Sequence, residues 1–263
     1  MKILIIIGSA RKNGNTSRVM RLFKEQLYDA SSETDTDMKI DMIYLAEQNI
    51  QQCKGCRLCF DKGEESCPLK DDLLSIRAKM TEADAVIFAS PVYVEDVSGT
   101  MKNFIDRLAF ICHRPEFAGK TAFCVVTTGM TASKHSIRTM SYALSSWGFL
   151  VIGDSWFKTG ALTSYDDIKK LYEKRIKDIS DRIKAAVVSI RAESPSFMAL
   201  MIFCIQQHYM IETLTEADEA DYRYWKEKGW LDPKTEYYIN HRASRIKVIL
   251  ARFTGSLIKK LVL

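Results

Sequence analysis

Apolar residues along this chain come in two alternating patterns. Ile3 to Ile7, Ala85 to Ala89, Thr121 to Thr127 and Phe149 to Phe157 are short runs with few polar interruptions, and Lys39 to Tyr44 is a fifth, more polar run. Such runs suit strands covered on both faces. Between them apolar residues recur at helical spacing, first as Val19, Leu22, Phe23 and Leu27 after Asn15. Further helices are predicted from Asp71-Asp72 to Met80, Gly99 to Phe110, Ser133 to Trp147, and Ser164 to about Arg191. Asp71-Asp72 and Ser164 are read as caps. Ser90-Pro91 is expected to break the third strand, because proline removes a ladder donor.

Strands alternating with helices predict an α/β, doubly wound parallel sheet. Right-handed crossovers and five strands favour the flavodoxin-like order 2-1-3-4-5. In that arrangement ligands lie beyond the carboxyl ends of the strands, which directs attention to the loops after strands one, three, four and five. The alternation stops at Ser194-Pro195-Ser196. The expected organisation is therefore a 1–193 domain and a helical extension, 194–263, with helices over Phe197 to Glu212, Glu216 to Lys228 and Tyr238 to Leu263.

The longest apolar run of the second half, Phe197 to Ile205, is much shorter than the ~20 residues a bilayer crossing needs. Ile3 to Ile7 is too short for the core of a signal peptide, so a cytoplasmic location with reduced thiols is expected. A formal charge of +5 over 263 residues does not argue for nucleic acid.

The loop after the first strand reads Gly8-Ser-Ala-Arg-Lys-Asn-Gly-Asn-Thr-Ser17. A strand running into a helix N-terminus makes a phosphate site from unpaired N–H groups and the helix dipole. The spacing differs from the Walker pattern, with five residues between the glycines and Asn15 at the lysine position. Ala10 stands where the dinucleotide fingerprint needs its second glycine. Ser90-Pro91-Val92-Tyr93, Thr127-Thr128-Gly129-Met130 and Thr159-Gly160-Ala161 lie on the same rim, where Tyr93 or Met130 could pack on a ring system. Neither His113 nor His135 is assigned a catalytic role.

Three motifs in order, Gly8-Ser-Ala-Arg-x-x-Gly-Asn-Thr-Ser17, Ser90-Pro-Val-Tyr93 and Ser98-Gly-Thr-Met-Lys-Asn-Phe-Ile-Asp-Arg107, resemble the NAD(P)H-dependent FMN reductase superfamily. The resemblance implies FMN, with phosphate contacts from Ser9, Arg11, Asn15, Thr16 and Ser17 and ring contacts from Pro91, Val92, Tyr93, Thr128 and Gly129. It further implies an oxidoreductase drawing on NAD(P)H or a ferredoxin-like donor, in a homodimer or homotetramer. The alternatives are a non-enzymatic flavodoxin-like electron carrier and a cysteine-site (zinc or thiol) binding protein.

Four of the seven cysteines fall in the irregular stretch 49–68, as Cys53-x-x-Cys56-x-x-Cys59 followed by Cys67-Pro68. Four thiolates this close can wrap a 4Fe-4S cluster or one zinc ion. The spacing resembles the iron-sulfur flavoprotein branch of the same superfamily; zinc and free thiols stay open as alternatives. Cys112, Cys124 and Cys204 read as ordinary buried residues. In the extension, Trp225 and Trp230 with Tyr222, Tyr224, Tyr237 and Tyr238 suggest an aromatic mini-core or a lid. From Arg242 to Leu263 there are six basic and no acidic residues, with Ile246, Ile249, Leu250, Phe253, Leu257, Ile258 and Leu261 at helical spacing. Docking of this helix on the chain's own body or on a partner subunit is the preferred reading, ahead of a membrane surface.

Overall fold

The computed structural model describes residues 1–29, 38–130, 134–160, 163–189, 194–213 and 220–262. Expectations that fall on Ser133, Ala161, Arg191, Glu216 and Leu263 lie outside the described residues, as does the side chain of Leu261.

Elements follow in the order β1 (Lys2–Ile7), α1 (Asn15–Asp29), β2 (Lys39–Tyr44), α2 (Leu58–Asp61), α3 (Leu73–Glu82), β3 (Ala85–Tyr93), β4 (Asp96–Val97), α4 (Gly99–Arg107), β5 (Thr121–Thr128), α5 (Lys134–Ser146), β6 (Leu150–Lys158), α6 (Tyr165–Ser189), α7 (Phe197–Thr213), α8 (Ala220–Glu227) and α9 (Arg245–Val262). The parallel strands lie in the order β2-β1-β3-β5-β6. That is the anticipated order 2-1-3-4-5 once the short β4, which pairs antiparallel with the end of β3, is set apart. The fold is flavodoxin-like.

Strand alternation distributes the core. Leu4, Ile6, Val86, Phe88, Cys124 and Val126 pack with residues of α3, α4 and α5 on one face. Ile3, Ile5, Ile7, Ile87 and Val125 pack with residues of α1 and α6 on the other. A period of two turns successive side chains to opposite layers, so the unbroken apolar runs are required by helices on both faces.

The expected break at Pro91 is corrected: β3 runs through it, with Pro91 opposite Thr127 of β5. β1 has already ended, since its last residue, Ile7, lies opposite Ala89 and Gly8 N donates to Ala89 O at 2.8 Å. On that side β3 has become an edge by Pro91, and a missing N–H is tolerated there. Helix α4 also stops at Arg107 rather than Phe110, and a 3-10 turn, Ala109–Cys112, continues the chain. Ser164 does cap α6, its Oγ accepting from Asp167 N at 3.1 Å while Asp167 Oδ2 accepts from Ser164 N at 3.2 Å.

The extension carries its own cores. Phe203, Met210, Trp225 and Trp230 are buried together with Tyr222, Tyr224, Tyr237 and Tyr238 packed around them, which is the aromatic mini-core expected from the sequence. Among the described residues no helix is long and apolar enough to cross a membrane.

Candidate functional site

At the switch point between β1 and β3, Gly14 O accepts from Arg18 N at 3.0 Å, which starts α1. The N–H groups of the first turn after it, from Asn15 to Ser17, then have no partner within the helix. The carbonyl of Arg11 is turned inward, where it accepts from Gly14 N at 2.9 Å and Ser17 Oγ at 2.9 Å. Buried Ser9 accepts from Arg11 N through its Oγ at 3.2 Å. Thr16 Oγ1 bonds Thr127 Oγ1 at 2.7 Å, and Asn15 Nδ2 donates to Gly160 O at 2.7 Å. The side chains of Asn15, Thr16 and Ser17 thus lace together the loops after β1, β5 and β6, while the backbone forms the open cradle. Arg11 is exposed above it.

Pro91 is buried, Val92 half-buried and Tyr93 exposed along the β3 rim; across it, Thr128 is buried and Gly129 and Met130 are exposed. The β3–β4 turn holds Val94 and Glu95 at φ 49° and 69°, and Val94 is almost fully exposed. A β-branched residue at positive φ is strained. Asp96 accepts from Thr139 Oγ1 at 3.0 Å, pinning this turn to α5.

Cys53, Cys56, Cys59 and Cys67 all line one cavity of about 280 Å³, together with Asp71 and Arg107. Cys53 and Cys56 are exposed, and Cys59 and Cys67 half-buried. Gly55 and Arg57, both at φ 64°, turn the chain between them, and Gly55 N donates to Cys53 Sγ at 3.4 Å. Burial raises the Cys59 thiol above its ordinary value, and neighbouring Cys67 and Cys53 push the same way. Among the described residues no three Cys, His, Asp or Glu side chains are gathered closely enough to hold a metal ion. The donor chemistry, four soft sulfurs facing one cavity, nonetheless fits an iron-sulfur group.

The loop is held by charges that sequence reading assigned otherwise. Only part of the expected cap forms: Asp71 Oδ1 accepts from Leu73 N, the first residue of α3, at 3.2 Å, whereas Asp72 Oδ2 accepts from Asn49 N at 2.8 Å, and Asp71 Oδ2 accepts from Gln51 N at 2.9 Å and Arg107 Nη1 at 2.5 Å. Arg107 also donates to Gln51 O at 2.6 Å. A second set joins Glu64 to Arg77 and Arg114, each at 2.6 Å, and Arg114 to Asp221 of α8 at 2.8 Å. His113 Nδ1 meets Asp221 Oδ2 at 2.7 Å and its ring stands edge-on to Phe60, which gives it a structural role. His135 is exposed. The signal that could have revealed the buried cations is their setting: Arg107 and Arg114 flank the apolar run Leu108 to Cys112, and charges in such surroundings need partners. Of the other cysteines, Cys124 and Cys204 are buried as expected, but Cys112 is only half-buried. Burial pushes the Cys124 thiol up to about 12.

These carboxylates make the tether acid-sensitive. Burial alone would raise Asp71, but hydrogen bonds from Arg107, Gln51 and Leu73 outweigh it and leave it below its ordinary value. Glu64 is lowered in the same balance, its burial opposed by its backbone bond and by Arg77 and Arg114. A depressed folded pKa contributes stability above the ordinary carboxylate value of about 4 that is lost as pH falls through the folded value. The urea midpoint is therefore expected to fall as pH drops below about 4 and to fall less in Asp71→Asn; equal slopes in both proteins would contradict this assignment.

Comparison with known proteins accords with this geometry. The family model for NADPH-dependent FMN reductase matches residues 1–163. An iron-sulfur flavoprotein of Archaeoglobus fulgidus is 30% identical over 232 residues, covering 88% of this chain and 100% of its own. An iron-sulfur flavoprotein of Clostridioides difficile is 28% identical, covering 87% of this chain and 99% of its own. A solved structure of RosB with bound 8-demethyl-8-formylriboflavin-5'-phosphate superposes with a TM-score of 0.58 at 15% identity, over 73% of this chain and 80% of that one, which shows a shared fold. With its glycine-bearing turn into α1 at the switch point and four cysteines lining one cavity, the chain belongs to the NADPH-dependent FMN reductase family, in its iron-sulfur flavoprotein branch.

Proposed function

We propose that this protein is an FMN-dependent oxidoreductase that takes electrons from NAD(P)H or a ferredoxin-like donor and passes them on through a 4Fe-4S cluster. The observation that carries the reading is the position of α4 between the two candidate sites. At its start, Ser98 Oγ donates to Gly8 O of the phosphate loop at 2.6 Å. At its end, Arg107 holds the cysteine loop through Asp71 and Gln51. Nine helical residues at ~1.5 Å each set the two ends about 13 Å apart, so one rigid element fixes the spacing of both sites.

In this reading the backbone N–H groups after Gly14, with Ser9 and Arg11, bind the FMN phosphate, helped by the positive end of α1. Asn15, Thr16 and Ser17 hold that cradle to the rim. Pro91, Val92, Tyr93, Thr128 and Gly129 face the ring, and FMN supplies the hydride and electron chemistry when bound. Cys53, Cys56, Cys59 and Cys67 hold the cluster. The exposed apolar rim of Tyr93, Val94 and Met130 supports a homodimer or homotetramer in which a neighbouring subunit covers the flavin site.

The test is anaerobic. Freshly purified protein is expected to contain FMN and close to four irons per chain, on the cluster stoichiometry, and NADPH or NADH should bleach the flavin. Cys59→Ser should remove most of the iron while FMN content stays that of the parent. Iron-free anaerobic protein, or iron unchanged in the variant, rejects the cluster; flavin unbleached by either nucleotide rejects direct reduction by nicotinamide.

A further inference from the structure

Helix α9 packs on the chain by its small side. Val248, Ala251 and Gly255 are buried on one face. A Cβ on Gly255 would lie 3.1 Å from both Cys204 Cβ and Met201 O, so α9 crosses α7 at close range. The opposite face carries Ile246, Ile249, Leu250, Phe253 and Leu257, all more than half exposed. At 3.6 residues per turn these five share an arc of about 100°. The helix therefore docks on the chain's own body, one of the two expected supports, but through its small residues, while the large residues of the stripe point outward.

Cations border the stripe. Lys247 lies on one side and Arg245, Arg252 and Lys259 on the other, with exposed Arg242 just before the helix. From Arg242 to Leu263 there is no acidic residue. Lys247 donates to Ser194 Oγ at 3.0 Å, Arg252 donates to Thr235 O and Pro233 O at 3.0 Å, and Lys259 pairs with Glu212, so the flanks are fixed on the neighbouring segments.

We infer that α9 is an in-plane anchor for a bilayer surface rich in anionic phospholipid. Its five large apolar side chains enter the boundary between headgroups and acyl chains, and the exposed Arg242 and Arg245 at its start meet the headgroup phosphates. A second copy fits this face less well. Two-fold pairing would set stripe on stripe and bring two acid-free basic helices together. Five side chains are also far fewer than the roughly 20–30 residues a side of a stable protein interface.

The experiment is flotation of the full-length protein with vesicles of pure phosphatidylcholine and of phosphatidylcholine containing about 30% phosphatidylglycerol. Binding to the anionic vesicles is expected to exceed binding to the neutral ones by at least about tenfold and to fall with salt. Phe253→Glu and Leu250→Glu should each weaken it by about tenfold or more. Arg242→Glu with Arg245→Glu should weaken it on anionic vesicles alone. All four side chains are exposed, and unchanged melting temperature and far-ultraviolet circular dichroism establish that the variants fold. Absence of binding, equal binding to both vesicles, or variants that bind like the parent overturns the assignment. So does a fall in solution mass on Phe253→Glu, which would give the stripe to a second copy.

Discussion

Replacing Asp71 by alanine is expected to destabilise the folded chain by about 3–5 kcal/mol, the largest stability loss among the single substitutions considered. The Asp71 and Arg107 side chains are 1% and 2% exposed and meet at 2.5 Å. Removing one member of such a pair leaves the other charge buried without compensation, and that penalty exceeds the net worth of the pair itself. The substitution also strips an acceptor from the Gln51 and Leu73 N–H groups. Urea unfolding measures the loss. Glu82→Ala is the control, because its pair with Lys2 is on the surface and such pairs contribute about 0–1 kcal/mol. A loss in Asp71→Ala as small as the control's would mean that Arg107 finds water or another partner. The double replacement Asp71→Leu with Arg107→Met should recover part of the stability, since a buried pair replaced by apolar groups is often neutral.

The same pair marks where the sequence stopped being legible. β1, β3 and β5 were readable because burial on both faces leaves an unbroken apolar run, a purely local signature. The turn from Gly8 into α1 was readable for a similar reason: strand, glycine-bearing turn and helix start are adjacent in the chain. Asp71, by contrast, stands two residues before a helix, where a local reading makes it a cap, a role its bond from Leu73 N fills, while its buried partner Arg107 lies 36 residues away. Nothing local announces a pairing at that distance. Turn chemistry hid β4 as well, since Val94-Glu95 lacks the glycine or asparagine that usually signals a tight hairpin. In the extension the aromatic cluster was legible from its composition. The orientation of α9 was not, because the usual rule buries the large apolar face and here Ala251 and Gly255 are buried instead.

Gly8→Ala is expected to empty the flavin site and to cost about 1–3 kcal/mol of stability, the range for overpacking a well-filled site. A methyl group at residue 8 would stand 2.8 Å from Met101 Cβ and 2.9 Å from Ser98 Oγ. Neither neighbour gives way easily. Met101 Cβ is fixed to the backbone of α4, and Ser98 Oγ is held between Gly8 O, to which it donates at 2.6 Å, and Met101 N, from which it accepts at 3.2 Å. Relief therefore has to come from moving the start of α4 away from the phosphate loop, which opens the cradle and loosens the element that spaces the loop from the cysteines. Flavin content after dialysis and the melting temperature read the two consequences separately. Gly99→Ala supplies the comparison: its Cβ would meet no atom within 4 Å, in the first turn of the same helix. It should retain FMN and be stabilised by about 0.4–1 kcal/mol through the restricted unfolded chain. If Gly8→Ala instead keeps its flavin and melts with the parent, the close packing of α4 against the phosphate loop is not what shapes the FMN site.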